Sequence, residues 1–184
     1  MNHRISKLVV VVVALVISSS ASLFAANSTG TYIGELRVQE IVLTHAGVSR
    51  SDATAFRVRL ERDDHQMVYE VKFSNGDTRY EYKLDALNGN IDEYEFEVRD
   101  SARRSSKVNS GTPLIGKEKA LDVVLGQIPG VARESIRIEG DRDDGRPIYE
   151  GEFYHDGYEY EFKVDAVTGK ILSWEGYSVR TLWR

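Results

Sequence analysis

The chain repeats itself. Asp63-Asp64, Tyr69, Phe73, Tyr80, Asp85, Gly89 and Ile91 each recur 80 positions later. The stretch "RYEYKLDALNGNIDEY" thus returns as "YEYEFKVDAVTGKILSW". The apolar starts "YIGELRVQEIVLTHAGV" and "LIGKEKALDVVLGQIPGV" lie 82 positions apart, so the units differ slightly in loop length. A solenoid needs roughly three repeats or more to bury its faces. Two copies predict two similar small domains, or one pseudo-symmetric domain. We divide the chain beyond its first 31 residues into residues 32–99, a linker at 100–113 and residues 114–184. The linker "DSARRSSKVNSGTP" has almost nothing apolar to bury.

Each unit changes hydrophobic period once. In the second, Ile115, Leu121, Val124, Leu125 and Ile128 fall on one helical stripe, with Gly130 after Pro129 as the stop. In the first, Val38, Ile41, Val42 and Ala46 do the same before Gly47. The remainder alternates with period two: Phe56, Val58 and Leu60; then Tyr69, Val71 and Phe73; then Tyr80, Tyr82 and Leu84. Turn signals separate these runs: "DDHQ", "SNGD" and "LNGN" in the first unit, "DDGRP", "HDG" and "VTGK" in the second. The predicted fold class is α+β, with two similar units, each one helix packed on an antiparallel meander of about four strands. The helix covers one sheet face and charged residues line the other. Whether the two sheets join is not encoded in this pattern.

Residues 1–26 are not part of the fold. Arg4 and Lys7 precede the apolar run "LVVVVVALVI", and small residues follow. This is the layout of a secretory signal. The competing reading is an uncleaved anchor, since the 19 residues from Leu8 to Ala26 carry no charge, close to the ~20 that span a bilayer. Either way the bulk of the chain is exported, to the periplasm, the outside of the envelope or the medium, and contact with membrane is expected only if the segment stays attached. With no cysteine in the chain, disulfides, thiol nucleophiles and cysteine metal sites are excluded. The formal net charge of −5 argues against a nucleic-acid surface.

The order "IGKEKALDVVL", then Gly145-Arg146-Pro147-Ile148-Tyr149-Glu150, then "YEYEFKVDAVTGKIL" resembles the PepSY domain. That family takes its name from propeptides of secreted metallopeptidases and a membrane protein of spore germination. The second unit matches along nearly its whole length. The first matches more loosely, with Gly34-Glu35-Leu36-Arg37 at the start and His65-Gln66-Met67 where Gly-x-Pro is common. The resemblance implies an extracytoplasmic, non-catalytic module that binds or regulates, with a secreted or membrane peptidase as the expected partner. It implies no cofactor and supplies no catalytic residues.

The residues themselves offer little chemistry. His45, His65 and His155 stand in non-equivalent places, and no His-Glu-x-x-His pair exists to hold zinc. The run Asp141-Arg142-Asp143-Asp144-Gly145 has its glycine one position too early for a calcium loop and reads as a hairpin turn. Asp85 with Gly89, and Asp165 with Gly169, read as turn motifs: the carboxylate accepts backbone N–H bonds and the glycine supplies a positive φ. On that reading Asp165→Asn is mild and Gly169→Val is severe. Glu81, Glu159 and Glu161, together with Trp183 in the tail, are the candidate partner contacts. An unused edge strand is a second place where a partner could add. The alternative function is a sensor or binder of a metal ion or an envelope polymer.

Overall fold

The computed structural model describes residues 31–99 and 111–179. The expected signal or anchor segment, most of the expected linker and Trp183 lie outside the described residues. Helix α1 (Glu35–Ala46) precedes β1 (Thr54–Asp63), β2 (Gln66–Asn75), β3 (Thr78–Asp85) and β4 (Ile91–Val98). Helix α2 (Lys117–Leu125) and a short 3₁₀ turn (Arg133–Ser135) precede β5 (Arg137–Asp143), β6 (Arg146–His155), β7 (Tyr158–Asp165) and β8 (Ile171–Ser178). All the strands belong to one antiparallel sheet in the order β1-β2-β3-β4-β8-β7-β6-β5. The two meanders therefore share a single surface, joined where β4 pairs with β8.

Local sequence explains the elements. Val38 and Val42 are fully buried and one turn apart on α1; Ala120, Leu121 and Val124 play that part on α2. Gly47 closes α1 in the left-handed conformation, its N–H donating to the Thr44 carbonyl at 3.2 Å. Helix α2 is shorter than the apolar stripe suggests. It ends at Leu125, and Gly126 has ordinary right-handed φ. Pro129 has no N–H to continue the helix and biases Ile128 away from it. Ile128 still packs on the core, from a turn.

The hairpins are tight. Asp144-Gly145 and Asp156-Gly157 take positive φ at both positions, the geometry whose twist matches the flanking strands. The "DRDDG" run is therefore a hairpin. Leu60 departs from the expected buried face: it is 41% exposed. Its strand is a sheet edge, with a register shift between Thr54 and Arg57 where Ala55 has φ 51°, so no outer neighbour covers it.

Two apolar clusters fill the helix-covered face, one built on Val38, Val42, Val71, Phe73 and Leu84, the other on Leu121, Val124, Phe153, Phe162 and Trp174. Tyr94 on β4 packs against both. It stands opposite Gly176 of β8, and a Cβ on Gly176 would lie 2.4 Å from the Tyr94 ring. The Trp174 indole N–H donates to the Tyr94 hydroxyl at 3.3 Å, and the Tyr158 hydroxyl donates to the Ile91 carbonyl at 2.7 Å. The joint thus has a dry aromatic side as well as a backbone ladder. Gly176→Ala should displace Tyr94 and cost about 1–3 kcal/mol in urea unfolding. Gly140→Ala, whose Cβ would meet only ordinary contacts, should cost much less.

Candidate functional site

The repeated Asp-Ala-x-x-Gly turn is a junction between hairpin and helix. Leu87 N–H donates to Asp85 Oδ1 at 2.7 Å and Asn88 N–H donates to it at 3.3 Å. In the second copy Asp165 Oδ1 accepts from Val167 N–H at 3.0 Å, Thr168 N–H at 2.9 Å and the Thr168 hydroxyl at 3.1 Å. Gly89 N–H and Gly169 N–H return to the carbonyls of Asp85 and Asp165, each at 2.9 Å. The alanines between are buried and bond on both sides. Ala86 donates to the Met67 carbonyl and accepts from Ile33 N–H; Ala166 donates to the Pro147 carbonyl and accepts from Ile115 N–H. Ile33 and Ile115 lead into the two helices, so the turn also fixes where each helix begins.

The two copies differ in how tightly they are enclosed. Gly89 has φ 77°, and a Cβ there would sit 2.7 Å from Ile41 Cδ1 and 2.9 Å from Ile33 Cδ1. Gly169 has φ 75°, and its nearest neighbour would be Ile115 Cδ1 at 3.5 Å. Asp165 is buried, with Arg146 Nη2 3.8 Å from its Oδ2. Gly89→Val should therefore destabilise more than Gly169→Val. Asp165→Ala, losing several accepted bonds, should cost about 2–3 kcal/mol, against about 1 kcal/mol for Asp165→Asn, which keeps one oxygen. Urea titration of the four variants gives the order.

Among the described residues the opposite face of the sheet carries no helix, and it is charged. One row crosses all the strands in register: Arg57, Lys72, Glu81, Glu95, Glu175, Glu161, Glu152 and Arg137. Five of these are consecutive glutamates on neighbouring strands, which lie about 4.8 Å apart. The expected contacts Glu81 and Glu161 belong to this row; Glu159 faces the same way one row over, opposite Tyr177. Glu95, Glu152 and Glu175 complete the row and were missed in the sequence. The repeat makes Glu95 and Glu175 equivalents, but their meeting depends on the β4–β8 pairing.

Cations are unevenly shared along this face. Lys72 Nζ lies 2.8 Å from Glu81 and 2.9 Å from Glu70, Arg79 also pairs with Glu81, and Lys83 lies 3.0 Å from Asp63 and 3.4 Å from Glu93. On the second half Arg137 pairs with Glu152 at 2.8 Å, while Glu139, Glu150, Glu159 and Glu161 share the face with Lys163. Among the described residues neither Glu95 nor Glu161 has an ion-pair partner. Partial burial and then the neighbouring Glu175 charge hold both carboxyls above the usual range. A concavity of about 510 Å³ lies here, lined by Arg137, Glu150, Glu152, Glu161, Lys163 and Glu175. No group of three or more potential metal ligands is gathered among the described residues.

The histidines have separate surroundings. His45 Nδ1 lies 3.0 Å from the Tyr82 hydroxyl, and its ring meets Tyr82 and Tyr94 edge-on. His155 lies beside Asp156 at 3.3 Å, and His65 is exposed in a turn. Burial lowers the His45 pKa from 6.5. The unfolded chain then takes up this proton first, so stability present above that pH is lost as pH falls toward the lowered value. His45→Gln should flatten that part of the urea-stability profile between pH 7 and pH 5.

These features define an α+β scaffold with one face committed to packing and one left charged. The family model described as "Peptidase propeptide and YPEB domain" matches residues 37–95 and 114–175. The chain belongs to the PepSY family, in two copies. It is 35% identical over 65 residues to the uncharacterised protein Spy1430 of Streptococcus pyogenes serotype M6, a match covering 35% of this chain and half of that relative's length. Among solved structures, the YpeB C-terminal domain of Bacillus megaterium aligns over 84% of this chain and 66% of that one, with 10% identity and a TM-score of 0.49. A cysteine-rich secretory protein (SAV1118) of Staphylococcus aureus aligns over 78% of this chain and 44% of that one, with 14% identity and a TM-score of 0.36. PepSY domains are generally extracytoplasmic and linked to peptidase inhibition or regulation. Among the described residues no helix is long and apolar enough to cross a membrane.

Proposed function

We propose that this protein is a non-catalytic, extracytoplasmic PepSY module that binds and modulates a secreted or membrane peptidase. The supporting observation is the tandem family match combined with a charged sheet face on which, among the described residues, carboxylates outnumber cations, most of all on β5–β8. A face of this kind favours a partner with a basic rim, where opposite potentials speed encounter and fix orientation. Glu159 and Glu161 are the contacts proposed on that face, with Glu81 toward the first half. Trp183 is a further proposed contact in the tail. The edges β1 and β5 are weaker candidates for strand addition, since Arg57, Arg59, Glu61 and Arg62 crowd β1 with charge.

Crosslinking in the native cell, followed by mass spectrometry, should recover a peptidase. Excess purified protein should then change that enzyme's rate. Charge reversal in Glu159→Lys/Glu161→Lys should weaken the effect about tenfold or more. Recovery of no peptidase, together with unchanged rates for the secreted peptidases, would remove the regulatory reading. The same acidic face also suits amine-bearing envelope polymers. Calorimetric titration with wall fragments, with calcium and zinc in parallel, separates this second reading from the first.

A further inference from the structure

The joint between the halves places two equivalent carboxylates face to face. Glu95 and Glu175 are direct cross-strand partners at the centre of the β4–β8 ladder, which pairs Glu93 with Tyr177 at one end and Glu97 with Ser173 at the other. Like charges in this position weaken strand pairing. The neighbours do not cancel them. From β3, Glu81 stands beside Glu95, while Arg79 is bonded to Glu81 and Lys83 to Asp63 and Glu93. From β7, Glu161 stands beside Glu175, with Glu159 and Lys163 on either side of it. Along β4 itself lie Glu93 and Glu97, and on β8 the Tyr177 hydroxyl donates to Glu175.

We propose that the β4–β8 joint is a proton-sensitive coupling, with the two halves held more tightly in mildly acidic surroundings than at neutral pH. A proton on Glu95 removes its repulsion with Glu175 at the middle of the ladder. The sign follows from linkage. Glu95 is held above the ordinary carboxyl value of 4.5, so the folded joint binds a proton that the unfolded chain has released. That stabilisation is full below the ordinary value and is lost as pH rises through the raised one. His45 acts in the opposite direction, but on the helix-covered face of the first half, so the two effects are separable by location.

Amide hydrogen exchange on the full exported chain tests this, with rates at pH 4 and pH 7 corrected for the intrinsic pH dependence of exchange. Protection of β4 and β8 amides should fall roughly two- to fivefold at pH 7 relative to pH 4, with strands β1, β2, β5 and β6 changing less. In Glu95→Gln/Glu175→Gln the joint should lose this pH dependence. Glu95→Lys should leave the joint better protected than the native one at pH 7, because the new cation faces Glu175 and Glu81. Circular dichroism confirms that the variants fold. Equal joint protection of the native chain at both pH values, or pH dependence retained in the double glutamine variant, would overturn the proposal.

Discussion

The backbone ladder between β4 and β8 is the contact on which the architecture rests. Without it, each meander would end in an open edge at its last strand, and Tyr94 and Trp174 would have one wall of their surroundings missing. With it, the aromatic layer is continuous: Tyr82 stacks on Tyr94 at 5.9 Å, Tyr94 meets Tyr160 edge-on at 6.4 Å, and Tyr160 stacks on Phe153 at 4.9 Å. The same pairing aligns the acidic rows of both halves into one. Apolar burial on one face thus holds together carboxylates that repel each other on the other face. A dry core can sustain this because fully burying one large apolar side chain is worth about 1.5–3 kcal/mol, more than the roughly 0.2–1 kcal/mol that a like-charged cross-strand pair opposes.

Much of the fold is written in local pattern. The period-two runs give strands because alternation puts every ring of "YEYEF" on one face and every carboxylate on the other. The Asp-Ala-x-x-Gly spacing gives a turn because the short Asp side chain lets one carboxylate oxygen reach the amides two and three residues on. What local pattern lacks is the partner of an edge. Nothing in "IDEYEFEV" says that its open side meets "ILSWEGYS" in the second copy, so the Glu95–Glu175 opposition was illegible while Glu81 and Glu161 were visible. The end of α2 was misread for a different reason. The apolar stripe continues through Ile128, but the chain there buries that side chain from a turn.

The two copies have also specialised. Where the first half has Phe96 opposite Trp174, the second has Gly176 under the Tyr94 ring. Likewise Val71 of the first half corresponds to Gly151, whose Cβ would collide with the Arg137 carbonyl. The second half draws its edge strand inward at that point, and the concavity of the charged face lies beside it. The small residues of β6 and β8 thus lie on the aromatic side of the second half, and its charged side carries the concavity.

A pairing of equivalent strands about a local two-fold axis is the contact that a chain with one repeat would make with its own copy. In a symmetric dimer every substitution at such an interface is made twice, once on each side of the axis. Fusion of the repeats removes that constraint. Tyr94 can thicken while its counterpart Trp174 leans on it, and Gly176 can shrink while Phe96 stays large. The joint is therefore a dimer interface whose two sides are free to diverge, and it cannot be diluted apart.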